Sequence, residues 1–214
     1  MLQNNMEDWQ KYIKILLLAV LAGITIGIGG CLYLSLDNKI AGALLFTVGL
    51  YAICIHGLKL YTGRIGYLVN EPPAYCLELA VIWAGNFLGT FLTAIAMKET
   101  RISAISEKAA QLCQTKLGDG WLSLFLLGVF CGLLMFVAVD GYKATNNPII
   151  LFMGVSAFIL CGFEHCIADM FYFSAAGLWS GKSLLLIVVI TLGNSVGGML
   201  VPLVKKIPDK SMSS

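Results

Sequence analysis

The chain has 214 residues, of which 58% are hydrophobic and 12% charged, and its mean hydropathy is +0.85. A soluble domain carries about 25% charged residues, so this composition excludes an ordinary soluble protein. Apolar blocks of about 20 residues, long enough to cross roughly 30 Å of hydrocarbon, mark an integral membrane protein, and a formal net charge of +2 carries no signal for a nucleic-acid partner.

The opening stretch MLQNNMEDWQKYIK includes Glu7 and Asp8 and is followed by no small-residue cleavage site, so it does not read as a secretory signal peptide. Trp9 and Tyr12 are suited to anchor the first span at the interface. Six apolar segments follow, at 13–36, 40–70, 74–97, 121–139, 147–176 and 182–204. The second and fifth are too long for a simple span, and each carries polar residues and glycine partway along, at 57–63 and 162–169. These two are expected to be broken helices, because irregular backbone at membrane depth persists only where protein or a wet cavity satisfies it.

The segment 98–120 is the one long polar stretch and is expected to cap one face of the bundle, partly as a surface helix. A short basic tail runs from 205 to 214. Of the seven cysteines, six fall within spans and read as small buried hydrophobes, with Cys113 in the linker loop; their spacing suggests no disulfide framework and no zinc site.

The two halves resemble each other. VLAG at 20–23 recurs as VFCG at 129–132, GLK at 57–59 as GFE at 162–164, and GNFLG at 85–89 as GNSVG at 193–197, at offsets of 109, 105 and 108. Each half holds three spans, so the second must enter the membrane inverted relative to the first. The expected fold is therefore an all-α membrane protein of six transmembrane helices in two inverted three-helix repeats, at about 13–97 and 121–204, forming one channel domain over 1–214. In such folds the working site lies at mid-membrane where the breaks meet. With both termini on the inner side, inner segments hold seven Lys/Arg and outer ones six, so the positive-inside count does not orient the chain.

At the breaks the sequence resembles a known family. CGFEHCIADMF (161–171) is similar to the fifth-span signature of the formate/nitrite transporter family, GLKLYTGRI to its second-span break, and WAGNFLG and TLGNSVGG to its Gly-Asn pairs in the third and sixth spans. The resemblance covers all six spans in order and implies an aquaporin-like homopentamer in the inner (plasma) membrane, one pore per protomer, both termini cytoplasmic, and no enzymatic activity or cofactor. It implies passage of small monovalent anions or their acids: formate, nitrite, hydrosulfide, or in some branches acetate or lactate.

Carried over by position, His165 matches the family's central pore histidine and Thr62 the threonine of the second-span loop. Leu60 and Tyr61 match that loop's Leu-Phe pair, and Phe46, Leu50 and Phe158 fall where apolar residues narrow the pore. Asn194 matches the sixth-span asparagine, and Glu164 the glutamate before the histidine. The sequence departs from the family at Lys59 (usually acidic), Arg64, Asp169 (usually Asn) and Gly132 (often Asn).

Histidine titrates nearest physiological pH, and a dry site disfavours its charged form. A bare anion there faces a Born penalty on the order of 10 kcal/mol or more, whereas raising its apparent pKa costs about 1.4 kcal/mol per unit. The expected mechanism is entry of an anion into a vestibule, drawn by half-helix ends and by Lys59 or Arg64, protonation by His165 directly or through water, and passage as the neutral acid. Thr62 is expected to bond the imidazole. A histidine in an apolar helix is ordinarily a satisfied core residue; its position in a repeated break between Glu and Asp favours the functional role. His56 lacks that setting and reads as structural.

Lys59 and Glu164 occupy equivalent repeat positions, and two readings stay open: a buried ion pair tying the breaks together, or a vestibule-facing Lys59 that attracts anions. Asp169 reads as a helix-end or lining group, and the Gly-Asn pairs as sites of close helix approach with asparagine bonded to broken backbone. The competing functions are a hydrosulfide-selective branch, a neutral-solute channel of aquaporin type, which would carry a repeated Asn-Pro-Ala, and a membrane electron carrier with His56 and His165 ligating haem.

Overall fold

The computed structural model describes residues 2–208, with side chains from residue 9 onward. Glu7, Asp8 and the tail from 209 to 214 therefore lie outside the described side chains. Among the described residues there are eight α-helices: α1 (Leu2–Ser35), α2 (Lys39–Ile55), α3 (Tyr75–Lys98), α4 (Ile105–Gly118), α5 (Trp121–Thr145), α6 (Pro148–Leu160), α7 (Cys166–Ala176) and α8 (Gly181–Lys205), with one 3-10 segment at Ile65–Val69. That is eight helices where six were expected. The segment 147–176 divides into α6 and α7 and the linker forms α4, which together make the two additional helices.

Four helices are long and apolar enough to cross a membrane: Trp9–Ser35 within α1, then α3, α5 and α8. Leu17, Leu21 and Ile28 on α1, and Leu184, Leu192 and Leu203 on α8, are exposed; in a multi-pass membrane protein such side chains face lipid. The inverse pattern marks the middle. Every residue of α7 from Cys166 to Ala175 is buried, so this short helix is enclosed on all sides by protein.

Helix starts and stops follow local chemistry. Asn38 caps α2, its side-chain oxygen accepting from Ile40 and Ala41 N–H at 3.0 Å each. Asn147 caps α6 in the same way, with Pro148 at the first helical position. The two caps are 109 residues apart. Gly57 and Gly162 end α2 and α6 with φ of +64° and +70°, a conformation that favours glycine. The residue after each glycine then bonds back five residues: Leu58 N–H to Ile53 O and Phe163 N–H to Phe158 O, both at 2.9 Å.

Two glycine-lined helix pairs, α1–α3 and α5–α8, flank this centre. A methyl group on Gly23 would lie 2.9 Å from Gly89 Cα, and one on Gly193 would lie 3.0 Å from Gly128 Cα. With no hydrophobic drive between helices in lipid, such contact comes from backbones packed closely over small residues. At Gly132 a methyl would meet the Asn194 backbone, so glycine is the residue that lets α5 and α8 approach here.

The linker helix α4 is more than a surface cap. Ile105, Ala109 and Cys113 are buried along one face, so Cys113 sits on a helix and not in a loop. Lys108 of α4 reaches Asp37 at 2.8 Å, and its hydrogen bond and charge hold that exposed carboxyl below its ordinary range.

Gly132→Ala is expected to force α5 and α8 apart and to cost about 1–3 kcal/mol, read as a lower thermal unfolding midpoint in detergent; an unchanged midpoint would show that the pair has slack.

Candidate functional site

The two breaks are held by two asparagines. Asn86 of α3 donates from Nδ2 to Ala19 O and Lys59 O, both at 2.8 Å, and its Oδ1 accepts from Tyr61 N–H at 2.9 Å. Asn194 of α8 donates from Nδ2 to Gly128 O and Glu164 O, both at 2.8 Å, and its Oδ1 accepts from Cys166 N–H at 2.9 Å. Each amide thus takes one carbonyl from a neighbouring helix and the carbonyl and N–H that flank the central residue of a break. Both side chains are fully buried, where an unpaired polar group costs several kcal/mol.

These clasps position Leu60–Thr62 and His165. Thr62 Oγ1 lies 2.8 Å from His165 Nε2, and both residues are buried. His165 also caps α7, its Nδ1 accepting from Ala168 N–H at 3.1 Å. A ring nitrogen that accepts carries no proton, so the neutral imidazole is protonated at Nε2 and donates to Thr62. Phe158 stacks on the imidazole at 5.6 Å between centroids, and Phe46 meets Phe158 edge-on at 6.2 Å.

Two small cavities lie beside these segments, one bordered by Leu60 and Gly63 of the Thr62 loop and the other by His165 itself. One, of about 50 Å³, is lined by Leu50, Leu60, Gly63, Arg64 and Lys143 among others. The second, of about 80 Å³, is lined by Phe158, His165, Lys116, Asp169 and Tyr172 among others. Each has room for a few waters or a small anion. The structure therefore gathers His165, Thr62, Phe46, Leu50, Leu60 and Phe158 in one place.

Other residues lie elsewhere. Tyr61 lines neither cavity: it faces a groove between α3 and α8, beside Trp83 and Val188, and its hydroxyl is 2.9 Å from Ser195 Oγ. Lys59 and Glu164 do not meet. Lys59 Nζ is 3.0 Å from Glu78 Oε1 on α3, while Glu164 pairs with Lys116 of α4. The reason is the repeat itself, since equivalent positions are held by different asparagines and point to different partners. His56 is exposed, and both nitrogens of His165 are engaged, which leaves no lone pair for a metal.

Lys116 was not singled out from the sequence. It also lies 3.0 Å from Asp169 Oδ1, so a single ammonium bridges two carboxyl groups. Burial alone would lower the Lys116 ammonium; the acidic pair beside it outweighs this and holds it above its ordinary value. The available signal was spacing: 109, 113 and 116 recur every three or four residues along one helix face.

The family model described as formate/nitrite transporter matches residues 4–206. Formate channel FocA of Haemophilus influenzae is 27% identical, over 75% of this chain and 70% of that protein. The probable formate transporter of Methanothermobacter thermautotrophicus is 27% identical, over 86% and 84%. Formate-nitrite transporter 2 of Toxoplasma gondii is 29% identical over 73% of this chain, which spans 38% of that longer protein. Among solved structures, a pentameric formate channel with formate bound superposes with a TM-score of 0.77 at 24% identity, over 92% of this chain and 96% of that one, and an FNT family ion channel with 0.76 at 21%, over 92% and 91%. These two show a shared all-helical fold.

Asn86→Ala and Asn194→Ala are each expected to lower stability by about 1–3 kcal/mol for every backbone group left unpaired, and by similar amounts at the two sites. Thermal unfolding of both variants in detergent checks this; a large loss at one and none at the other would break the equivalence of the two clasps.

Proposed function

Because the chain belongs to the formate/nitrite transporter family, we propose that it is a channel for small monovalent anions such as formate, nitrite or hydrosulfide, and that it passes them as neutral acids at His165. The observation that carries this reading is the Thr62–His165 bond between two cavities in a buried, mostly apolar centre. The eight helices then group into six spans in two inverted repeats: α2 with the 3-10 segment forms the broken second span, and α6 with α7 the broken fifth. Residues 1–214 would form one channel domain in the cell's plasma membrane with both termini cytoplasmic. A homopentamer bounded by lipid is the assembly the pentameric structural neighbour supports.

The roles follow from charge and hydration. Arg64 and Lys143 line the first cavity and would concentrate anions there. Lys59, tied to Glu78, serves that role less well than Arg64. Between the cavities Leu50, Leu60, Phe46 and Phe158 leave little for a charge to bond to. An ion without its water faces a Born cost of order 20 kcal/mol before relaxation, against about 1.4 kcal/mol for each unit by which an acid's pKa is raised. The neutral acid is the form that crosses. The imidazole, donating through Nε2 and already accepting through Nδ1, is itself neutral, and Thr62 completes a polar relay that a small acid can join.

In proteoliposomes, uptake of formate, nitrite and hydrosulfide should rise with an inward proton gradient. His165→Asn should reduce it by about 10²-fold, within the range a lost proton-transfer group costs, and Thr62→Val by less. Equal anion and proton flux at each pH in His165→Asn would exclude the relay.

A further inference from the structure

The second cavity borders a charge cluster that does not balance. Glu164 and Asp169 face one cation, Lys116, and the three side chains are 6%, 2% and 12% exposed. Asp169 Oδ1 bonds Lys116 at 3.0 Å, whereas its Oδ2 is buried with no hydrogen-bond partner among the described residues. Two carboxylates side by side in low dielectric do not both ionise; one retains a proton. A bare Oδ2 anion here would be a buried, uncompensated charge.

Resting on the channel reading above, we infer that Asp169 is a protonated carboxylic acid at neutral pH and is the acid that protonates an anion arriving in the Lys116-lined cavity. Its Oδ2–H bond breaks as an O–H or S–H bond forms on the anion. The new carboxylate is held by the Lys116 ammonium until a solvent proton restores the acid, and the neutral substrate moves on to His165, which lines the same cavity.

Among the described residues the surroundings contain no second cation to stabilise two carboxylates. From α4 the neighbours are Lys116 and the Cys113 thiol, from α1 the Tyr33 hydroxyl, and from α5 the Cys131 thiol. From α7 and its cap come His165, Cys166 and Tyr172. Lys98 of α3 sits at the far, Gly177 end of α7. A protonated carboxyl at 169 has the size and polarity of an amide. Unlike the amide, it can give up its proton.

Infrared spectra of the full chain in lipid at neutral pH test this. The expected result is a carboxylic-acid C=O band that shifts when aspartate is labelled with carbon-13 and is absent from Asp169→Asn and Glu164→Gln, but present in the exposed control Glu107→Gln. In liposomes Asp169→Asn should lose uptake about tenfold more at alkaline than at acid pH, where bulk protons supply the neutral substrate. No such band, or a band that follows glutamate labelling instead, overturns the assignment, and the labelling decides even where a variant does not fold. Equal loss at all pH values overturns the donor role. A band with the expected behaviour in a protein that carries no anion at all would leave the acid in place and sink the channel reading instead.

Discussion

Two buried primary amides hold this structure together. Oil on the outside requires each backbone N–H and C=O to find a partner within the protein, and the two segments that abandon helical geometry at the centre cannot supply their own. Asn86 and Asn194 close that deficit with the same three bonds at the same lengths. Each also ties a break to a close-packed helix pair, α1–α3 or α5–α8. The glycines of those pairs matter for the same reason, because the amides reach across only when the backbones nearly touch. Close packing, non-helical central segments and central polar residues are thus one requirement met three times.

What the amides do not enforce is chemical sameness. With both breaks placed by equivalent bonds, the side chains that project from them are free to differ, and they do. The first half projects a cation to an acidic partner, Lys59 to Glu78, and the second an anion to a basic one, Glu164 to Lys116. Thr62 and His165 project from different breaks and meet at 2.8 Å. The result is a centre with matched amide clasps and one-sided chemistry: a guanidinium and an ammonium group line one cavity, and one aspartate with one lysine and the imidazole line the other.

Much of this could be read from the sequence, for a physical reason. The repeat offsets of 105–109 and the polar breaks are local in the chain, and a break must carry glycine and hydrogen-bonding side chains wherever it occurs. The amides' partners were likewise implied once the breaks were found. What escaped depended on distance. Lys59 and Glu164 share an equivalent place, which invites pairing them, yet equivalence under a repeat separates side chains as readily as it joins them. Lys116 looked like one more charge in a solvated linker because polar composition hides a helix with one buried face. Tyr61 faces the α3–α8 groove and meets Ser195 from the far end of the chain, a placement that no local pattern reveals.

The cap on α7 joins two properties that are usually independent. The same lone pair of His165 that fastens Ala168 N–H is the position a second proton would have to occupy. Charging the ring would therefore unhook the first turn of a helix that is buried along almost its entire length. Protonating this imidazole would act as a mechanical release as much as an electrical one, loosening the helix that walls the second cavity at the moment it made that wall positive.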